Sequence, residues 1–301
     1  MNYNKKLFLI DAFPIIYQGF YALKKNPLFT SFGLNTSPII NFTHFIINIL
    51  NEENPKYMAI IFDGNQISFR KKIYKEYKSN RKKTPIEINI SIPYINKILK
   101  AFQIFFIYSN YGYEADDIIG TIAKKAENKD YNVYILSSDK DFLQLVTNNI
   151  KIYIPSSKNK PKKILGLNEI KSDFGVNDPK QMIDLFSMMG DYSDNIPGLP
   201  GIGKKNAIKF VNKYGSIEGL FHSINELNKN LKKKIEFNKE IGLLYKKLIT
   251  INTNISYINF CEKKFCIKNP IFTEVKNIFK ELEFRMLFNK FCQYYKKINN
   301  L

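Results

Sequence analysis

The sequence predicts an α/β fold in which a mostly parallel central sheet is flanked by helices. Three short, uninterrupted apolar runs support it, at residues 7–10, 57–62 and 133–136. Such runs are typical of strands that are buried on both faces of a parallel sheet. Helical periodicity occurs between them, at residues 39–50, 92–102 and 115–127. This alternation of strand and helix patterns is typical of an α/β domain.

Each predicted strand is followed by acidic residues. Asp11 ends the first run, Asp63 follows the second, and Asp139 and Asp141 follow the third. The carboxyl ends of parallel strands meet at one edge of a sheet, and ligands bind at that edge in open α/β folds. A single aspartate there would be an ordinary turn residue, but acids after all three strands favour a shared site.

A further acidic cluster opens the helix predicted at residues 115–127. Glu114, Asp116 and Asp117 lie within four residues just before an apolar run. One interpretation is a helix start with solvated acids, because the N-terminal N–H groups of a helix favour negative charge. The other is divalent-metal binding, since hard cations such as Mg²⁺ prefer carboxylate oxygens. The second interpretation requires the other acids to converge on this cluster.

A basic segment covers residues 69–83. Arg70, Tyr74, Lys78 and Arg81 recur at helical spacing, so a helix would present them on one face. Two of the three arginines of the chain lie here, and a guanidinium binds phosphate in a bidentate manner. Tyr74 and Tyr77 are predicted to stack on unpaired bases. The alternative is an ordinary solvated, charged helix.

The second half of the chain is predicted to be more helical. Residues 150–154 are predicted as an edge strand, and the polar, lysine-rich residues 155–163 as a loop at a domain boundary. The predicted domains are therefore 1–165, α/β, and 166–301, helical. A helix is predicted to begin at Asp178-Pro179 and to end near residue 189, where it presents Asp191 and Asp194.

A glycine-rich turn follows and leads into another helix. It contains Gly201, Gly203, Lys204 and Lys205 in the order Pro-Gly-Ile-Gly-Lys-Lys. Glycines allow close backbone approach, and a helix N-terminus offers N–H groups to a phosphate. This order predicts a helix-hairpin-helix motif, at about residues 184–223, that contacts a DNA backbone without sequence specificity. Farther on, an apolar group is predicted to be core: Met286, Leu287, Phe288 and Phe291.

Composition agrees with a nucleic-acid partner. The 301 residues include 46 Lys and Arg against 27 Asp and Glu, a formal net charge of +19. A strongly basic chain favours polyanions, although a lysine-biased composition accounts for part of the excess. The three cysteines lie late in the chain without metal-site spacing, which suits a reduced cytoplasmic protein. No apolar run reaches about 18 residues, so no membrane span is expected.

Taken together, the order and spacing of these motifs resemble the 5′-nuclease domain of bacterial DNA polymerase I, in the flap endonuclease superfamily. The resemblance runs over residues 7–291. It rests on the acids described above, on Arg70 and on four short motifs: Tyr-Lys-x-x-Arg at 77–81, Gly-Tyr-Glu-Ala-Asp-Asp at 112–117, Ser-Asp-Lys-Asp at 138–141 and Gly-Asp-x-x-Asp-Asn at 190–195. The superfamily implies a PIN-like nuclease core with a helical arch, here at about residues 69–103.

The resemblance also implies roles for individual residues. Two Mg²⁺ or Mn²⁺ ions would be held by acids. One ion would be held by Asp11, Asp63, Glu114 and Asp116, and the other by Asp139, Asp141 and Asp191, with Asp116 between the two. Asp117 and Asp194 would be supporting metal-site acids. Lys78 and Arg81 would steer the scissile phosphate, and the hairpin of Gly201 and Gly203 would grip duplex DNA and hold K⁺.

The function implied is a metal-dependent, structure-specific 5′-3′ exonuclease or flap endonuclease. Its expected substrates are branched DNA, 5′ flaps, nicked duplexes and RNA-primed strands in replication and repair. We expect a cytoplasmic, nucleoid-associated monomer working with a separate DNA polymerase and ligase. His44 and His222 lie outside the acidic motifs, so metal-activated water is the expected nucleophile.

The chain departs from the family pattern at Gln18, where relatives carry arginine, and at Ala12, where they carry glycine. Loss of a phosphate contact at Gln18 leaves a non-catalytic branched-DNA-binding protein as an alternative. A nuclease that degrades RNA is a third interpretation, against which the hairpin and the basic segment argue. Because relatives often continue into polymerase domains, the chain is expected to be a free-standing nuclease or an excised domain.

Overall fold

A six-stranded sheet forms the centre of the protein, which is described by a computed structural model at residues 5–156 and 161–300. The strand order is β3-β2-β1-β4-β5-β6. Strands β1 to β5 are mutually parallel, and β6 pairs antiparallel with β5. The predicted mostly parallel α/β fold is therefore confirmed. The strands are β1 (Lys6–Asp11), β2 (Tyr57–Phe62), β3 (Phe105–Tyr108), β4 (Asn132–Leu136), β5 (Ile150–Ile154) and β6 (Lys163–Leu165).

The helices of the first half flank this sheet, and residues of the second half pack onto both of its faces. The first five are α1 (Ala12–Ala22), α2 (Ser37–Glu53), α3 (Phe69–Ile73), α4 (Ile86–Ala101) and α5 (Ala115–Glu127). The next six are α6 (Leu167–Phe174), α7 (Gln181–Met189), α8 (Lys204–Tyr214), α9 (Ile217–His222), α10 (Lys229–Glu236) and α11 (Lys239–Ile249). The last three are α12 (Glu262–Phe265), α13 (Phe272–Glu281) and α14 (Arg285–Asn299). No helix in the described part of the chain is long and apolar enough to span a membrane.

The topology places a switch point beside Asp11. From β1 the chain adds β2 and β3 on one side, and it then returns to add β4 and β5 on the other side. Ile10 is in register with Leu136 of β4, and Asp11 is in register with Ile61 of β2. A crevice forms where the strand order reverses, at the carboxyl ends of the strands. The fold therefore places Asp11 at the centre of the edge that is suited to ligands.

Two strands differ from the predictions. Residues 150–154 form β5, but β5 lies between β4 and β6, so the prediction of an edge strand is wrong. The three-residue β6 takes the edge and begins at the last residue of the predicted loop, of which residues 157–160 lie outside the described residues. At the opposite edge, β3 has only four half-buried residues and was not predicted. Strands this short leave no clear alternation in a sequence.

Apolar residues cover both faces of the sheet in two cores. On one face α5 packs together with residues of the second half of the chain. On the other face α1, α2 and α4 pack with α13 and α14, where the rings of Phe102 and Phe291 are 5.2 Å apart. The predicted boundary near residue 165 stays a prediction, and α13 and α14 return beyond it to the sheet. The core prediction is wrong for Met286, which is 86% exposed on α14, whereas Leu287 and Phe291 are buried.

The basic segment 69–83 is not one helix. Only α3 (Phe69–Ile73) is helical, and turns follow up to α4. Lys78 has a left-handed backbone with φ 55°, which an α-helix does not contain. The prediction that Arg70, Tyr74, Lys78 and Arg81 share one helical face is therefore wrong. Contacts between this segment and other parts of the chain replace the helical hydrogen bonds.

Candidate active site

Four acids lie where strands of the parallel sheet end. Asp11 is the last residue of β1, and Asp63 directly follows β2. Asp139 and Asp141 follow β4 at the start of a 3₁₀ helix (Lys140–Leu145), where the N–H of Asp141 donates to Asp139 Oδ1 at 3.0 Å. The strand order brings these acids to one edge of the sheet, as the spacing of the motifs predicts.

The start of α5 is tied directly to this edge. Glu114 is the residue before the helix, and its N–H donates to Asp117 Oδ2 at 3.0 Å. The N–H of Ala115 donates to Asp63 Oδ1 at 2.7 Å, which links the end of β2 to the helix start. A capped helix start and an acidic site are therefore compatible interpretations of this cluster. The acids cap α5, and the start of α5 lies beside the carboxylate of Asp63.

The loop at residues 190–196 adds acids from the second half of the chain. Asp191 and Ile196 exchange two backbone hydrogen bonds of 2.8 Å, which close the loop. Asp191 Oδ1 accepts the N–H of Ser193 at 2.7 Å, and Asp194 is buried. The N–H of Lys78 donates to the backbone oxygen of Asp194 at 3.0 Å. The loop is thereby held against the basic segment.

Lys78 lies among the acids as their central counter-charge. Its Nζ is 3.0 Å from Glu114 Oε2 and 3.8 Å from Asp194 Oδ2. Arg81 pairs with Asp194 Oδ1 at 2.7 Å and remains about half exposed. Although burial alone would lower the pKa of the Lys78 amine, the charges of Glu114 and Asp194 raise it above its ordinary value. Both basic residues therefore stay charged beside the carboxylates.

The acids perturb one another, which shows that they share one electrostatic environment. Burial raises the pKa of Asp11 well above its ordinary value, and the charges of Asp63 and Asp139 raise it further. Burial and the charge of Asp139 do the same to Asp116 and to Asp141. Acids from three strand ends and from α5 therefore repel one another in one crevice.

Glu114 differs from the other acids because of its local contacts. Burial tends to raise the pKa of Glu114, but Lys78 and Arg70 outweigh it and lower that pKa to about 2. Burial raises the pKa of Asp63, and the charge of Lys78 and the N–H of Ala115 only partly offset that rise. Charge in the crevice is therefore uneven, with Glu114 firmly ionised beside Lys78.

The carboxylate set has the chemistry of a hard-cation site. Asp141 Oδ1 is buried and accepts no hydrogen bond, and an unpaired buried carboxylate oxygen is costly. Cations compensate such oxygens, and all-carboxylate donors favour Mg²⁺, Mn²⁺ or Ca²⁺. Within the described ranges, however, no three acids are already arranged to hold one ion. Hydrogen bonds and ion pairs within the chain engage several of their oxygens instead, so side-chain rotation must accompany metal binding.

Arg70 lies in the interior instead of on a surface facing DNA. Its guanidinium makes two 2.8 Å hydrogen bonds to the two oxygens of Asp117, and both side chains are almost fully buried. Its remaining N–H groups donate to the backbone oxygens of Leu248 and Thr250, at 2.7 and 2.9 Å, and to Glu114 Oε2 at 3.4 Å. The structure therefore does not support the predicted DNA contact of Arg70, nor an open metal-binding role for Asp117, which Arg70 saturates.

The two tyrosines predicted to stack on bases are turned inward. Tyr77 is buried, and its hydroxyl lies 3.0 Å from Glu114 Oε2 and 2.8 Å from Asp194 Oδ2, between which it can share its hydrogen. The half-buried Tyr74 packs edge-to-face on Tyr245, with ring centroids 6.0 Å apart. Neither ring offers an open face for a base. Tyr77 instead helps to position two carboxylates.

Sequence reasoning missed Ser137, which links two of the acids. Its hydroxyl donates to Asp11 Oδ2 at 3.4 Å and accepts the N–H of Asp139 at 3.1 Å. The residue is buried at the end of β4. Its only sequence signal is a small hydroxyl residue between a buried run and an acidic turn, and many ordinary turns share that signal.

The predicted helix-hairpin-helix is built by α7, a tight turn and α8. The Leu199 N–H donates to Met188 O at 2.7 Å, which folds the turn back onto α7. Gly198 has φ 75°, and a Cβ there would lie 2.4 Å from the backbone nitrogen of Gly190. Residues of the predicted phosphate-binding turn remain exposed, namely Gly201, Gly203, Lys204 and Lys205. The first helix begins at Gln181, slightly later than the Asp178-Pro179 start predicted.

Two cavities border the acids. A cleft of about 270 Å³ has Asp63, Glu114, Lys78 and Arg81 among its lining residues, so it joins the acids to the basic segment. A larger cavity of about 1120 Å³ lies near the amino-terminal acid and is lined, among others, by Asp11, Gln18, His44 and Lys162. Gln18, the departure from the family pattern, is exposed there.

Comparison with known proteins agrees with this architecture. The model of the 5′-3′ exonuclease N-terminal resolvase-like domain matches residues 6–175, and that of the 5′-3′ exonuclease C-terminal SAM fold matches residues 177–270. A 5′-3′ exonuclease of Aquifex aeolicus is 33% identical over 283 residues, which is 94% of either chain. DNA polymerase I of Bacillus subtilis is 40% identical over 256 residues, or 84% of this chain, and the match spans 28% of that polymerase.

A solved structure shares the fold at low sequence identity. The bacteriophage T5 flap endonuclease, determined in a complex with DNA and metal ions, superimposes with a TM-score of 0.65 at 20% identity. The superposition covers 92% of this chain and 99% of the phage chain. The similarity therefore extends through the sheet and the helical region alike.

Proposed function

Because the chain belongs to the 5′-3′ exonuclease family, we propose that it is a metal-dependent, structure-specific 5′ nuclease acting on DNA. The observation that carries the proposal is the convergence of acids from β1, β2, β4, α5 and the 190–196 loop around Lys78. The proposed substrates are 5′ flaps, nicked duplexes and RNA-primed strands of replication and repair. The proposed partners are a separate polymerase and ligase, and the proposed location is the nucleoid.

The proposed cofactor is a pair of Mg²⁺ or Mn²⁺ ions. One ion would be held by Asp11, Asp63, Glu114 and Asp116, and the other by Asp139, Asp141 and Asp191 together with Asp116. A two-ion site supplies Lewis acidity that activates water and stabilises the leaving oxygen of a phosphodiester. The unpaired Asp141 oxygen and the mutual repulsion of the acids support this assignment. Asp117 and Asp194 are proposed as supporting acids, because Arg70 and Arg81 engage them.

The basic residues would hold the phosphate of the bond to be cleaved. Lys78 bonds to Glu114 and faces the cleft, so it can exchange that carboxylate for a phosphate oxygen. Arg81 is about half exposed and can turn from Asp194 to a phosphate, which a guanidinium binds in a bidentate manner. Moving Lys78 onto the substrate would also release its contact with Glu114, so that this carboxylate could turn toward a metal ion.

The helix-hairpin-helix would grip the duplex next to the cleaved strand. Gly201 and Gly203 are exposed, and Gly203 directly precedes α8, which begins with Lys204 and Lys205. The N-terminus of a helix offers N–H groups to a phosphate. Contacts of this type position a backbone without reading its sequence. Binding of K⁺ by the carbonyl groups of this hairpin is part of the proposal.

The test is cleavage of a 5′-labelled flap duplex with Mg²⁺ by wild type, Asp116→Ala and Asp139→Ala. We expect release of the flap by wild type and at least about a hundredfold slower release by both variants. Asp173→Ala, which removes an exposed acid outside the crevice, is the matched control and should cleave like wild type. Tight flap binding without product from wild type would instead favour the non-catalytic binding protein.

A further inference from the structure

An exposed aromatic group borders the acid cleft and has no role in the site described above. We name Tyr111, Tyr113 and Tyr257 the tyrosine shelf. The rings of Tyr111 and Tyr257 meet edge-to-face at 5.0 Å, and Tyr113 lies 6.2 Å from Tyr257. Tyr111 is 71% exposed and Tyr257 is 41% exposed. Tyrosine combines an apolar ring with a polar hydroxyl and is enriched at interfaces, so two neighbouring exposed rings are suited to a binding surface.

The backbone of the shelf is fixed and strained. Tyr111 has φ 56°, a left-handed conformation that costs a bulky residue about 1 kcal/mol or more. Asn110 sustains it, because its side chain accepts the Tyr111 N–H at 2.8 Å and its backbone oxygen accepts the hydroxyl of Tyr257 at 2.9 Å. The N–H of Phe69 donates to the oxygen of Gly112 at 2.8 Å. This strained backbone does not bury the Tyr111 side chain. It holds the ring facing outward on a fixed support.

The shelf is continuous with the cleft where the proposed chemistry occurs. Tyr113 lines the same cleft as Asp63, Lys78 and Arg81. A strand whose phosphate lies on the two basic residues would therefore meet the tyrosines as it leaves the cleft. Lys71 also lines this wall, so cations stand next to the aromatic rings. Aromatic faces beside cations match unpaired nucleic acid, whose bases stack while its phosphates pair with the cations.

We propose that the tyrosine shelf is a base-stacking platform for the unpaired 5′ strand of a flap. The inference rests on the proposed function and deepens it. In it, the tyrosine shelf contacts the unpaired strand of the flap and makes no contact with the duplex. Tyr111 would act as a positioning residue that touches a base of the flap. A fully paired, nicked duplex offers no unpaired base and would not use the shelf.

The test uses binding without turnover, in EDTA, and compares a flap duplex with a nicked duplex. The main variant is Tyr111→Asn, because asparagine tolerates a left-handed backbone and so preserves the fold. We expect its flap affinity to fall about tenfold, while its affinity for the nicked duplex stays unchanged. Tyr111→Phe keeps the ring and should bind flaps within about twofold of wild type. Met286→Ser removes an exposed apolar side chain on α14 and should alter neither affinity.

A second readout reports stacking directly. The chain contains no tryptophan, so the emission of a 2-aminopurine base in the flap can be observed without interference from indole. We expect wild type and Tyr111→Phe to quench this base and Tyr111→Asn to lose the quenching. If Tyr111→Asn binds the flap and quenches the base as wild type does, the stacking role of the tyrosine shelf is wrong. The proposed function would still stand in that case, provided that wild type cleaves the flap. Failure of wild type to cleave any flap would overturn the proposed function itself.

Discussion

Arg70 holds Asp117 through two parallel 2.8 Å hydrogen bonds in the interior of the protein. Asp117 also accepts the backbone N–H groups of Glu114 and Asn252, at 3.0 and 2.8 Å. The pair therefore connects the start of α5, which carries the site acids, to the segment after α11. These contacts are suited to fixing the position of the helix start that carries the site acids.

Asp117→Ala should be strongly destabilising, because it leaves the Arg70 charge buried without its partner. We expect the free energy of unfolding to fall by about 3–5 kcal/mol. Urea denaturation followed by circular dichroism measures it. Asp173→Ala removes a partner of the exposed ion pair with Lys163 and should change stability little. Similar unfolding midpoints for the two variants would show that the buried pair does not hold the fold together.

Asp141→Asn should have opposite effects with and without metal. In EDTA the variant relieves repulsion and desolvation around the unpaired Oδ1, so we expect it to gain about 1 kcal/mol of stability. Ions bound to the folded state alone stabilise it, so Mg²⁺ should raise the wild-type melting temperature more than that of the variant. Differential scanning fluorimetry in EDTA and over a series of Mg²⁺ concentrations measures both the stability gain and the Mg²⁺ response. An equal Mg²⁺ response in both proteins would remove Asp141 from the metal site.

Lys78→Met should retain the length of the side chain and lose its charge. We expect single-turnover flap cleavage to slow by about a hundredfold, because the phosphate and Glu114 each lose one cationic partner. Lys72→Met, at an exposed position of the same basic segment, is the control and should cleave nearly as fast as wild type. If the two variants cleave equally fast, Lys78 serves the fold and not the phosphate.

Gln18→Arg should restore a phosphate contact beside Asp11. The exposed position in the larger cavity leaves room for a guanidinium. One added phosphate contact is expected to steepen the slope of log binding constant against log salt by about 1. Salt-dependent fluorescence anisotropy measures this slope, with Gln18→Met as the uncharged control. Parallel salt plots for the arginine and methionine variants would place residue 18 away from the DNA.

Gly198→Ala should disrupt the hairpin far more than a comparable change elsewhere. Both Gly198 and Gly33 have positive φ, but a Cβ at 198 meets backbone atoms at 2.4 Å, whereas at 33 it meets open space. We expect about 1 kcal/mol of destabilisation for Gly33→Ala and clearly more for Gly198→Ala. Thermal unfolding measures stability, and anisotropy on a nicked duplex should show weaker binding for Gly198→Ala alone. Equal losses in both variants would mean that the turn can open.

Strong local signals allowed part of the structure to be predicted from sequence. The second strand pattern and the helix of residues 115–127 were placed at the bounds found, because apolar periodicity and capping acids mark them. The convergence of Asp11, Asp63 and Asp139 followed from parallel strands ending at one edge. The strand and the helix depend on consecutive residues, and the convergence needs only the further rule that parallel strands end at one edge of the sheet.

The basic segment could not be predicted in the same way. Its helical spacing was real, but its conformation depends on bonds to a loop more than a hundred residues later. The side chain of Asn195 donates to the backbone oxygen of Glu76 at 2.8 Å, and Asp194 receives the N–H of Lys78. The inward orientation of Tyr77 likewise depends on Glu114 and Asp194. Periodicity contains no information about such distant partners.

The packing of α13 and α14 has a consequence for synthesis of the protein. Phe279 and Phe291 complete the core on one face of the sheet, against Phe102 of α4. A ribosome produces these helices only after the strands and the other helices, so that face stays uncovered during most of translation. We expect the nascent chain to become resistant to proteases only after residue 291 has emerged, because until then this face of the sheet lacks its cover.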